Sequence, residues 1–126
     1  LREMGVSVIA SHHDFEQTPS PEVMKMLLEK MCAGGADIVK LAVMPQNYKD
    51  VLNLLDVTAQ FREENPDTPV ITMSMGSLGG ISRISGETFG SCVTFGAHEK
   101  PSAPGQFAMK ELRQMLDTIH ASSRIQ

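Results

Sequence analysis

A lysine stands inside an apolar run, Ala36-Asp37-Ile38-Val39-Lys40-Leu41-Ala42-Val43-Met44. Ile38, Val39, Leu41 and Val43 suit the pleated surface of a buried strand. An ammonium on such a strand is costly unless it is paired or gives up its proton. Burial favours the neutral amine, and a neutral amine attacks carbonyl carbon. The plainer reading is a strand-end lysine whose stem covers the core while its head reaches water. A second strand strengthens the chemical reading. Val6-Ser7-Val8-Ile9-Ala10 runs into Ser11-His12-His13-Asp14-Phe15, so the spacing predicts two histidines in a strand-to-helix loop one βα unit before Lys40. In a parallel α/β sheet the carboxyl ends of successive strands share one rim, where ligands bind. An amine and a base facing one cavity are what imine chemistry needs.

Two further segments carry polar groups to the same rim. After a third strand comes Gly76-Ser77-Leu78-Gly79-Gly80-Ile81-Ser82-Arg83. Its glycines permit close backbone approach, its helix start attracts anions, and Arg83 can fork onto a carboxylate or phosphate. A Gly-rich turn with a later arginine is by itself more often structural. After a fourth strand comes Ala97-His98-Glu99-Lys100-Pro101-Ser102-Ala103-Pro104-Gly105-Gln106, a stiff loop offering Ser102 and Gln106. It reads as a connector or as a lid over the rim.

The elements that must hold these residues repeat four times. Ser20 is the expected N-cap and Pro21 the first residue of a helix over 21–33, with Val23, Met24, Leu27, Leu28 and Met31 on one face and a stop near Gly34-Gly35. Ile38–Val43 is followed by a helix over 48–64 bearing Val51, Leu54, Leu55, Val57, Thr58 and Phe61 and closed by Asn65-Pro66-Asp67-Thr68-Pro69. The third strand covers 70–75 and precedes a short helix near 81–89. Cys92-Val93-Thr94-Phe95 is the fourth, and a last helix over about 108–120 buries Leu112, Met115, Leu116 and Ile119. Strands alternating with helices imply an α/β fold with a parallel sheet. Four βα units make half of an eight-stranded barrel or, as the alternative, a flavodoxin-like open sheet.

With 126 residues and 41% hydrophobic content, the chain is expected to be a single domain spanning its whole length. Net charge is −4 and no basic stripe with interleaved aromatics occurs, which argues against nucleic acid. No apolar stretch approaches the ~20 residues of a membrane span, and no charged-then-apolar leader signals export. Cys32 and Cys92 read as core residues in a helix and a strand. The expected location is cytoplasmic. Leu1-Arg2-Glu3-Met4-Gly5 looks like the tail of one element entering a strand, so the chain reads as a fragment.

The ordered set Ser11-His12-His13-Asp14-Phe15 with Thr18-Pro19, Gly35 through Pro45 around Lys40, Ile71-Thr72-Met73-Ser74-Met75-Gly76, Ser82-Arg83, Phe89-Gly90-Ser91, Thr94-Phe95-Gly96 and Ser102-Ala103-Pro104-Gly105-Gln106 resembles type I 3-dehydroquinate dehydratase, the Schiff-base dehydratase of the shikimate pathway. The resemblance places the chain on strands five to eight, the C-terminal half of a (β/α)8 TIM barrel. It implies a hydro-lyase acting on 3-dehydroquinate with neither metal nor organic cofactor. Lys40 then matches the imine-forming lysine and His13 the proton-shuttling histidine. Arg83 matches the arginine that holds the substrate carboxylate, and Ser102 and Gln106 match lid residues. Met73 and Met75 would line the pocket floor. His12 receives no role, and Asp14 either orients the loop or touches the reaction. The implied chemistry is syn elimination: Lys40 condenses with the ketone, and the iminium acidifies the neighbouring proton. His13 takes that proton and hands it to the departing hydroxyl.

Three rival readings remain. A class I aldolase-like lyase shares the lysine but not the histidine and Ser-Ala-Pro-Gly-Gln motifs. A half-barrel could fold without turning over substrate, serving as a self-associating module. Open strand edges make a homodimer the expected state of the isolated chain under either half-barrel reading. A metal site from His12, His13, Asp14 and His98 is the weakest, because adjacent histidines project apart.

Overall fold

A computed structural model describes residues 5–96, 100 and 104–123. The order of elements is β1 (Ile9–Asp14), α1 (Pro21–Ala33), β2 (Ile38–Val43), α2 (Tyr48–Glu64), β3 (Val70–Ser74), a 3-10 turn (Ser77–Gly79), α3 (Gly80–Ile84), α4 (Gly86–Phe89) and α5 (Met109–Ser123). The three strands form one parallel sheet in the order β1-β2-β3. Each strand therefore lies beside its predecessor, as in a singly wound α/β fold, and among the described residues the strand reversal of a flavodoxin-like sheet does not occur.

Alternation along the strands separates two faces. Val39, Leu41, Val43 and Val70 point to one side and are buried there with Met24 and Leu28 of α1 and Leu54, Val57 and Phe61 of α2. Both helices thus cover the same face. Within this core, Thr58 Oγ1 donates to Leu54 O at 2.7 Å and lies 2.8 Å from Thr72 Oγ1, so the buried hydroxyls on α2 and β3 satisfy each other. The six apolar-face residues expected on α2 are all buried. On α1, Met24 and Leu28 are buried and Leu27 and Met31 partly so, whereas Val23 is exposed at the first turn. The caps follow the sequence: Val23 N donates to Ser20 Oγ at 3.3 Å, Pro21 opens α1, and Gly34 closes it.

Several elements differ from the sequence reading. The helix expected near 81–89 is two, α3 and α4, broken at Ser85. Of the residues expected to be buried on α5, Leu112 is buried while Met115, Leu116 and Ile119 are half-buried. The first strand starts three residues later than expected and runs through both histidines to Asp14. At the entry Val8 N donates to the Asp37 side chain, Oδ2 at 2.7 Å, while Val8 O accepts Asp37 N at 2.8 Å. The fourth strand reduces to an isolated bridge between Val70 and Ser91, with Cys92 N donating to Val70 O at 2.8 Å. Thr72 N, the next donor along β3, goes to Ser91 Oγ at 3.0 Å instead of to a strand carbonyl. A side chain therefore occupies the ladder position, and Val93 and Phe95 stay 43% and 38% exposed. Cys92 is accordingly exposed and outside a strand, while Cys32 is partly buried with Sγ 3.5 Å from Thr68 Oγ1.

Candidate active site

The second face of the sheet carries the chemistry. Ser11 lies opposite Lys40, and Lys40 opposite Ile71; His13 lies opposite Ala42, and Ala42 opposite Met73. Because side chains two apart share a face, Ser11, His13, Lys40, Ala42, Ile71 and Met73 all point away from α1 and α2. His12, paired with Leu41, belongs to the helix-covered face. The histidines are therefore strand residues and not loop residues, and the strand sorts them: one joins Lys40, the other does not.

His13 is held below its ordinary value of 6.5, first by desolvation of the ring and then by the positive charges of Lys40 and His12. The ring stacks on Phe15, centroids 5.9 Å apart and planes 9° from parallel, which accounts for its loss of water although the residue as a whole is exposed. Neutral imidazole can accept a proton, so this environment favours the base form. Asp14 does something else: its Oδ1 accepts Glu16 N and Gln17 N, both at 3.0 Å, making the turn that ends β1. Thr18 Oγ1 then donates to Met44 O at 2.8 Å and fixes that turn beside the end of β2.

The Lys40 ammonium sits over the Phe95 ring, 4.5 Å from its centroid. Among the described residues no carboxylate pairs with it. Beside it Ala42, Ile71, Met73 and Met75 form a small buried apolar cluster, so the two expected methionines do lie on this face. In the sequence Phe95 reads as the end of an expected strand and as part of Thr94-Phe95-Gly96, and nothing local reveals that its ring lies against Lys40.

Arg83 lies within α3, where Ser82 places it. Ser74 N donates to Ser82 Oγ at 2.9 Å, and Ser82 Oγ donates to Gly79 O at 2.7 Å, locking α3 onto the end of β3. Arg83 is only 1% exposed, and burial pulls its guanidinium down from its ordinary value. Its Nη2 donates to Pro104 O at 2.9 Å, while the buried Nε and Nη1 find no partner among the described residues. Two unsatisfied donors on a buried cation suit a carboxylate or phosphate. Pro104 O also accepts Gly76 N at 3.1 Å, so Pro104 is docked on the end of β3. Gln106 is partly buried; Ser102 and His98 lie outside the described residues. Among the described residues no group of three or more His, Cys, Asp or Glu side chains is placed to hold a metal.

A family model described as type I 3-dehydroquinase matches residues 1–123. The chain is 53% identical over 115 residues to a 3-dehydroquinate dehydratase of Clostridium novyi, covering 91% of this chain and 46% of that protein. With the corresponding protein of Syntrophotalea carbinolica it shares 52% over 118 residues, covering 94% and 47%. Among solved structures, 3-dehydroquinate dehydratase from Geobacillus kaustophilus superposes with a TM-score of 0.91 at 41% identity, covering 95% of this chain and 46% of that one. The type I enzyme from Clostridium difficile with covalent modified comenic acid gives a TM-score of 0.90 at 50% identity, covering 96% and 48%. The chain thus spans about half the length of the relatives it matches. With a parallel sheet that sets a histidine and a lysine on one face and a family match over nearly every residue, this chain belongs to the type I 3-dehydroquinase family.

Proposed function

We propose that this chain forms strands five to eight of a (β/α)8 barrel and carries the imine-forming part of a 3-dehydroquinate dehydratase site. The observation that carries the reading is that His13 and Lys40 lie on one sheet face of neighbouring strands, two register positions apart. Lys40, as a neutral amine, attacks the ketone carbon, and the carbinolamine loses water to give an iminium. The iminium withdraws electrons and acidifies the adjacent C–H. His13, held as a base, accepts that proton and returns it to the departing hydroxyl, for a contribution of ~10²–10⁴-fold. Arg83 directs its free Nε and Nη1 to the substrate carboxylate, and Gln106 and Ser102 close over the substrate. Met73 and Met75 supply the apolar floor. The relatives' shared name supports the substrate, and the covalent modification in the Clostridium difficile enzyme supports a nucleophile in the family.

The experiment is borohydride reduction with 3-dehydroquinate, read by intact and peptide mass spectrometry. A stable adduct on Lys40, absent from Lys40→Ala, is expected; turnover, where wild type shows it, is abolished by the same substitution. No adduct from a folded sample overturns the reading for this chain and leaves the folded half-barrel module.

A second reading concerns assembly. Ile9 is 55% exposed on the Lys40 face, and among the described strands β1 pairs only with β2. We infer that two copies cover each other's open sheet faces as a homodimer. A cytoplasmic location belongs to the same proposal; among the described residues no helix is long and apolar enough to cross a membrane.

A further inference from the structure

We infer that Phe95 is a catalytic residue whose ring face holds the positive charge on the Lys40 nitrogen before and after it bonds to the substrate. The inference rests on the imine reading above and goes beyond it by naming what stabilises the cationic intermediate. Lys40 Nζ lies 4.5 Å from the Phe95 centroid, within the range of a cation–π contact. Among the described residues no carboxylate forms an ion pair with the nitrogen, Ser11 lies opposite Lys40 across the sheet, and the two charges that depress His13 are both positive. A carboxylate in place of the ring would hold the ammonium strongly and oppose its deprotonation. A ring face attracts the cation weakly, accepts no proton, and leaves a neutral amine free to attack.

The reaction conserves the charge that the ring sees. The free amine's lone pair forms the N–C bond while the carbonyl π electrons move to oxygen. Proton transfer within the adduct gives a neutral carbinolamine. The proton that the Lys40 ammonium gave up, held meanwhile by His13, passes to the carbinolamine hydroxyl, which departs as water while the nitrogen lone pair forms the C=N bond. One positive charge is left, shared by nitrogen and carbon. That iminium occupies the site of the ammonium. The ring that seated the first cation therefore stabilises the second, which is the electron sink for proton removal by His13. Phe95 is 38% exposed, so its ring is not needed to fill the core, and its electronics can be altered with little effect on packing.

The test replaces Phe95 in the full chain by mono-, di- and trifluorinated phenylalanine, which drain charge from the ring face at nearly constant shape. Each protein is incubated with subsaturating 3-dehydroquinate and reduced with borohydride, which delivers hydride to the iminium carbon. The expected result is a stepwise fall in Lys40 adduct, reaching about tenfold for the trifluorinated ring, in keeping with the strength of such contacts. Phe95→Leu should fall at least as far, while the circular dichroism of all variants matches wild type. Equal trapping across the fluorinated series, with strong trapping in wild type, overturns the role of Phe95 and leaves the imine reading intact. Absence of trapping even in wild type overturns the imine reading and this inference with it.

Discussion

Two adjacent histidines with the same side chain receive different environments because a strand alternates. His13 shares the Lys40 face, and its ring is desolvated against Phe15; His12 lies on the helix side beside Leu41. The consequence is measurable without substrate. His13 should titrate below 6.5 by NMR, and Lys40→Ala should move its midpoint upward by removing one of the nearby positive charges. The return is incomplete because desolvation, the larger cause, remains. An unchanged midpoint would show that the two side chains do not interact. The sign for stability follows: the folded state binds the proton less readily than the unfolded chain, so this group costs nothing above its unfolded value. Stability falls as pH drops below about 6.5. For catalysis the same shift extends the base form of His13 to lower pH.

Among the elements, α1 and α2 form where their caps and apolar stripes direct, and the segment 104–106 is held on the end of β3 by backbone contacts. Gly105 has φ +81°, and a Cβ built there would strike Gly76 O and come within 2.7 Å of Gly76 N. Only glycine permits this approach, which lets Pro104 O accept both Gly76 N and Arg83 Nη2. Gly105→Ala combines a left-handed backbone cost of roughly 1–2 kcal/mol with direct overlap. It is expected to undock the loop, so that hydrogen exchange at the Gly76 amide accelerates at least tenfold while amides of β2 keep their protection. Unchanged exchange at Gly76 would mean that the docking does not depend on this glycine. The same local accounting explains the missing fourth strand. Cys92-Val93-Thr94-Phe95 has strand-forming residues, yet Ser91 Oγ takes the Thr72 amide that a ladder would use.

At the scale of the molecule, helices seal one sheet face, while on the other Ala42, Ile71, Met73 and Met75 are buried and exposure is concentrated along β1. Ile9 and Phe95 on or beside the Lys40 face are exposed apolar residues, and Val93 adds to them along the unformed strand. Such surface drives association in water. Light scattering on the isolated chain is expected to give twice the 13.7 kDa mass at micromolar concentration. Asp at position 9 in place of isoleucine should shift the population toward single chains, since a carboxylate is costly to bury in an apolar contact. A monomer for the wild-type chain across the concentration range would set the homodimer aside.

The helix caps, the buried stripe of α2, the alternation of strands and helices through β3, the parallel sheet and the family were legible in the sequence, because each rests on short-range spacing or on motifs in a fixed order. Lys40 and His13 stood out for the same reason: their types break apolar runs. What the spacing misjudged was register. It put the histidines in a loop, since a run of Ser-His-His-Asp carries turn-like composition, whereas pairing with the apolar β2 recruited it into the sheet. Phe95 over Lys40, the docking of Pro104 on Arg83, and Ser91 standing in for a strand join residues 55, 21 and 19 positions apart. No local preference encodes such contacts; they exist only once the strands lie side by side and bring distant side chains onto one surface.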